Sequence, residues 1–192
     1  MAPKAKVGRT LWLLRHAKTV TEPPPGGTDF DRILAPRGRR DATALGLLFA
    51  GTGDGLGPAF KGVPRAQIAL VSPAARTAAT ADLVLAGVTD PPERRMEEGL
   101  YASDPEAVLT LVRALPDDEV AAMVVGHNPT AHSLSQSLLS ARDKKGLSTV
   151  VRHGFPTCAL GVYSFAVDRW ADVAAGTGKL VAITTPPFTG ES

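Results

Sequence analysis

Short apolar runs alternate along the chain with stretches of helical periodicity. The runs Thr10 to Leu14, Gln67 to Val71 and Val120 to Val125 have strand length and carry almost no polar residues. Between them, a helix is expected over about Arg37 to Phe49, with Ala42, Leu45, Leu48 and Phe49 on one face. Ser72-Pro73 forms a cap and first-turn pair for a second helix reaching about Ala86. Ser103-Asp104-Pro105-Glu106 has the form of a capping box, followed by Val108, Leu111, Val112 and Leu115 at helical spacing. Asn128-Pro129 opens a further helix carrying Ala131, Leu134 and Leu138. Ala141 to Pro156 is expected as a long polar excursion or flap. Thr157 to Val167 and Leu180 to Thr184 are expected as late strands, and the tail after Thr185 as frayed. Strand and helix in alternation predict an α/β fold with a mostly parallel central sheet.

Composition narrows this little further. The chain has 192 residues, 44% hydrophobic and 21% charged, as expected for one globular domain spanning 1–192 with its core over about 10–185. A net charge of +2 is too small for a dedicated nucleic-acid binder. Cys158 is the single cysteine, so no internal disulfide can form. The residue six places after it is Ser164 rather than arginine, which excludes a cysteine-based phosphatase loop. The longest apolar run near the N-terminus ends at Arg15, too short for a signal peptide or a membrane span. A cytoplasmic location is the expectation, with no membrane partner.

Three tempting motifs fail. The glycines of Gly51 to Gly57 follow a helix rather than a strand and miss the dinucleotide spacing. Gly178-Lys179 is followed by Leu180, where a phosphate-binding P-loop needs Ser or Thr. His127 and His132 stand five apart with no intervening glutamate after His127, so they do not form a zinc-protease pair. No metal or other cofactor is expected.

Four side chains survive, each just past an apolar run: Arg15 and His16, then Arg76, then His127. Ligands of open parallel sheets bind beyond the carboxyl ends of the strands, so these segments can converge there. Helices opening after Pro73 and Pro129 would add their N-terminal N–H groups. Two arginines and two histidines at such an edge describe a phosphate pocket, because the guanidinium fork grips phosphate oxygens in pairs.

Leu11-Trp12-Leu13-Leu14-Arg15-His16-Ala17 resembles the Arg-His motif of the histidine phosphatase superfamily, whose fold is phosphoglycerate mutase-like. Val71-Ser72-Pro73-Ala74-Ala75-Arg76-Thr77 is similar to the motif carrying that family's second arginine, and Val125-Gly126-His127-Asn128-Pro129 to the one carrying its second histidine. Asp29-Phe30-Asp31-Arg32, Leu100-Tyr101 and Phe155-Pro156-Thr157 narrow the resemblance to the short SixA-like branch of phosphohistidine phosphatases. Ala17 departs from the family's usual glycine. Val151-Arg152-His153-Gly154 repeats the Arg-His-Gly triplet far from the first strand and is read as coincidence or part of a flap.

The resemblance implies a three-layer α/β/α fold and a metal-independent phosphatase. His16 would attack phosphorus and become phosphohistidine, with Arg15, Arg76 and His127 binding the phosphoryl oxygens. Glu98, beside Glu97, is the candidate for the proton donor to the leaving group. The implied substrate is phosphohistidine or a small phosphoester, and the implied partner a phosphohistidine-bearing signalling protein. A phosphoglycerate mutase-type transferase and a catalytically silent phosphate-binding module are the alternatives.

Overall fold

The computed structural model describes residues 8–50 and 60–188. Six strands form one sheet in the order β3-β2-β4-β1-β5-β6: β1 Arg9–Arg15, β2 Ile68–Val71, β3 Glu93–Met96, β4 Ala121–Gly126, β5 Leu160–Phe165 and β6 Lys179–Thr184. The first four are mutually parallel, whereas β5 runs antiparallel to both β1 and β6. The helices are α1 Pro36–Ala50, α2 Ala75–Leu85, α3 Pro105–Arg113, α4 Thr130–Ser137 and α5 Lys144–His153.

The apolar runs 11–14 within β1, Ile68–Val71 of β2 and 121–125 of β4 follow from coverage on both faces. Leu11, Leu13, Leu70 and Val124 pack on one side with Val108 and Val112 of α3, Leu134 of α4 and Val150 of α5. Trp12, Leu14, Val71 and Val125 point the other way, onto Ala42 and Leu45 of α1 and Ala81 and Val84 of α2. Successive strand residues thus serve opposite cores, as the two-residue period of a strand requires. The result is a three-layer α/β/α fold.

Two glycines set how closely the layers approach. A Cβ on Gly46 of α1 would lie 2.4 Å from the carbonyl oxygen of Leu83, so that glycine lets α1 press against α2. A Cβ on Gly38 would lie 2.0 Å from the carbonyl oxygen of Lys18. Gly38 therefore seats the first turn of α1 on the segment that follows His16.

Several local expectations need correction. Helix α2 begins at Ala75, and no side chain caps it. Ser72 instead turns its hydroxyl toward His127. At α3 the cap is Asp104, which accepts from the Ala107 N–H, while Glu106 pairs with Arg113 rather than closing a capping box. Residues 141–156 are mostly helix: Asp143 accepts from the Gly146 N–H, and Gly154 closes α5 in the left-handed conformation (φ +63°). Strand β3 has four exposed residues with no apolar alternation to betray it. Phe188, in the expected frayed tail, packs on the core beside α1 and α2. The connector Gly51 to Pro58 lies outside the described residues. No helix among the described residues is long and apolar enough to cross a membrane.

Candidate active site

Strand register assembles the site. Arg15, the last residue of β1, pairs with Gly126, the last of β4, and Val71 of β2 pairs with Val125. The residues immediately after these three strands, His16, His127 and Ser72, therefore stand side by side at one sheet edge. The His16 N–H donates to the Gly126 carbonyl (3.0 Å) and the Ser72 N–H to the Val125 carbonyl (3.1 Å). The two imidazole centroids are 5.3 Å apart, tilted by 53°.

Arg76 arrives from the first turn of α2. Its helix is tied to the His16 segment through Thr80, whose hydroxyl donates to the Arg76 carbonyl (2.6 Å) and accepts from the Ala17 N–H (3.0 Å). Ala17 is fully buried, and its methyl lies within the core beside α1 and α2. The glycine-to-alanine departure is thus accommodated by packing.

Hydrogen bonds assign both tautomers. His16 Nδ1 lies 2.8 Å from the Ala17 carbonyl, which can only accept, so Nδ1 carries the proton and Nε2 keeps its lone pair. Arg76 Nε can only donate, so His127 Nδ1 accepts from it (3.2 Å), and His127 Nε2–H donates to Ser72 Oγ (2.8 Å). Burial, then the Arg15 and Arg76 guanidiniums, push His16 down to about 4 despite the opposing Ala17 bond. Burial and Arg76 push His127 down to about 3. Both rings are neutral near pH 7.

A cleft of about 330 Å³ opens over these groups, lined by Arg15, His16, Arg76 and His127 together with Lys18, Arg32, Asn128 and Thr157. Arg15 Nη1 donates to the Phe155 carbonyl (3.1 Å), which also accepts from Asn128 Nδ2 (3.3 Å). The segment after α5 thereby braces the first arginine. Asp29 is the one carboxylate that lines the cleft among the described residues. It bonds Arg32 Nη1 (2.8 Å), Arg76 Nη2 (2.9 Å) and the Tyr101 hydroxyl (3.2 Å), while its carbonyl accepts from Arg76 Nη1 (2.6 Å). The Arg32 bond, followed by Arg76 and Tyr101, holds its carboxyl below the usual range, so it is ionised.

The structure thus gathers Arg15, His16, Arg76 and His127 into one cleft. Glu98 is exposed, in the single turn Glu98–Leu100, and does not line the cleft. Arg152 and His153 lie exposed on the last turn of α5, also outside its lining. Reasoning on the strand ends alone missed the roles of Asp29, Arg32 and Tyr101. Asp29 and Arg32 stand three apart in a Pro/Gly loop soon after the Arg-His pair, and that spacing was the available signal.

No family model matches the chain. An uncharacterised protein of Mycobacterium tuberculosis is 32% identical over 174 residues, spanning 90% of this chain and 99% of the relative. Among solved structures, a candidate SixA phosphohistidine phosphatase from Nakamurella multipartitia superposes with a TM-score of 0.74 at 29% identity, covering 94% of this chain and 98% of that one. A second SixA candidate, from Agrobacterium tumefaciens, gives 0.71 at 25% identity over 93% and 98%. Sequence, fold and the pairing of strand ends agree: the chain belongs to the histidine phosphatase superfamily, in its SixA-like branch, and is a phosphatase.

Proposed function

We propose that this phosphatase passes the phosphoryl group of an N-phosphorylated histidine, or of a small phosphoester, to His16 and then to water. The observation that carries the reading is the His16 tautomer: Nδ1–H is anchored on the Ala17 carbonyl, leaving Nε2 free as a nucleophile. A neutral ring among arginines is what nucleophilic attack on an anion requires. Attack from Nε2 forms the N–P bond as the bond to the leaving group breaks in line with it. Nδ1–H stays on the Ala17 carbonyl and spreads the positive charge that the ring gains.

Arg15, Arg32 and Arg76 line the same cleft and supply the positive charge that stabilises the transferring group. His127 holds Arg76 through Nδ1, and its Nε2–H, now on Ser72, is the donor that an incoming phosphoryl oxygen can share. Because the arginines carry the electrostatic load, the reaction proceeds without a metal in this reading. The SixA-named neighbours support a phosphohistidine-bearing signalling protein as the partner.

Turnover of phosphoramidate and an aryl phosphate in the presence of a chelator tests this. The wild-type protein is expected to hydrolyse both, and His16→Ala to abolish both activities. Undiminished turnover by His16→Ala would refute the reading.

A further inference from the structure

An enzyme that expels a basic alkoxide needs a proton donor at the leaving group. The cleft's one carboxylate among the described residues, Asp29, is ionised and ringed by donors, so it holds no proton to give. Its position is nonetheless informative. His16 rises from the strand ends at the floor, and in-line displacement sends the leaving group the opposite way, toward the rim. Asp29 is at that rim, with its side chain 53% exposed.

A carboxylate has about four acceptor positions, two on each oxygen. Oδ2 bonds Arg76 and Tyr101, whereas among the described residues Oδ1 bonds Arg32 alone. One acceptor position on Oδ1 therefore remains for a group on the substrate. An anionic leaving group would be repelled there, and an N–H donor would be held.

Resting on the phosphatase reading above, we propose that Asp29 selects the leaving group: Oδ1 accepts the distal ring N–H of a phosphorylated imidazole, favouring N-phosphoryl substrates over phosphoesters. The step balances without an external acid. The substrate ring enters as an imidazolium, phosphorylated on one nitrogen and protonated on the other. The P–N bond breaks with its electron pair returning to the ring, which departs as neutral imidazole still carrying the distal proton. His16 Nε2 takes the phosphoryl group. The lack of a protonated acid in the cleft lining among the described residues and the presence of Asp29 then serve the same leaving group.

The test compares phosphoimidazole with p-nitrophenyl phosphate, whose leaving group is an anion, for the wild-type protein and Asp29→Asn. The substitution keeps the side chain's shape and removes its charge. The ratio of kcat/KM for phosphoimidazole over the aryl phosphate is expected to fall by at least about tenfold, as loss of a charge-assisted hydrogen bond requires. An equal change on both substrates, leaving the ratio intact, would overturn the assignment and leave Asp29 only a support for Arg76. A wild-type protein inert toward both substrates would overturn the phosphatase reading and this inference with it.

Discussion

The floor and the rim of the cleft are built by different means. At the floor, Arg15, His16, Ser72 and His127 are carried by three parallel strands whose register is set by backbone hydrogen bonds and buried apolar side chains on both faces. At the rim, Asp29 sits in the single turn Asp29–Asp31, Arg32 closes that turn and Tyr101 follows the turn Glu98–Leu100, and they are held largely by side-chain contacts. Arg32 reaches the Thr19 hydroxyl (2.6 Å) and the Val20 carbonyl (2.8 Å), Asp29 clasps Arg32 and Arg76, and Phe30 meets the Tyr101 ring edge-on at 5.1 Å. A floor displaced by a fraction of an ångström would misalign the attack, so it is placed where nothing yields. The contrast suggests chemistry below and choice of substrate above.

Substitutions can separate floor from rim. Arg76 belongs to both, since it bonds His127 below and Asp29 above. Its replacement by alanine is expected to lower kcat/KM by at least about a hundredfold, roughly 2.7 kcal/mol of transition-state stabilisation. A loss below about tenfold in steady-state kinetics would place Arg76 outside the phosphate clamp.

The next effect is one of pH. Burial and the flanking arginines bring His16 down to about 4 from its usual 6.5, and as the proposed nucleophile it would act only when neutral. Activity governed by the free enzyme should therefore persist through pH 5 and fall on an acidic limb near pH 4, provided the fold survives. Stability has the same sign. Between pH 6.5 and the lowered values of His16 and His127, the unfolded chain binds protons that the folded chain refuses, so stability declines as pH falls through that window. A kcat/KM profile already falling at pH 6.5 would contradict the buried, arginine-flanked floor.

The smallest effect is expected at Glu98. Exposed and outside the cleft lining, it should tolerate replacement by glutamine with less than about a twofold change on any phosphate substrate, as surface positions usually do. A selective loss on alkyl phosphates would restore it as the proton donor.

The floor was legible in the sequence because its residues follow continuous apolar runs, a pattern that buried parallel strands impose. The rim was legible only as the matched stretches Asp29-Phe30-Asp31-Arg32 and Leu100-Tyr101, without roles, because these residues act through contacts distant in sequence. Glu98 was singled out on interval alone, although the neighbouring Tyr101 is the residue of that connection that reaches Asp29. Helix α5 passed for a flap because Lys144, Lys145, Ser148 and Arg152 face solvent, and Gly146 and Val150 alone in it are buried. Strand β3 escaped notice because a charged edge strand, paired among the described strands with β2 alone, needs no apolar face.

In the proposed reaction, His16 holds the phosphoryl group between its two half-reactions. Reaction with excess phosphoramidate, quenching under alkaline conditions and mass spectrometry of the resulting peptides would locate the modification. One added phosphoryl group is expected on the peptide containing His16, and none on that containing His153. Phosphorylation of His153, or turnover with no phosphorylated histidine during the steady state of a substrate with rapid first-step chemistry, would contradict it.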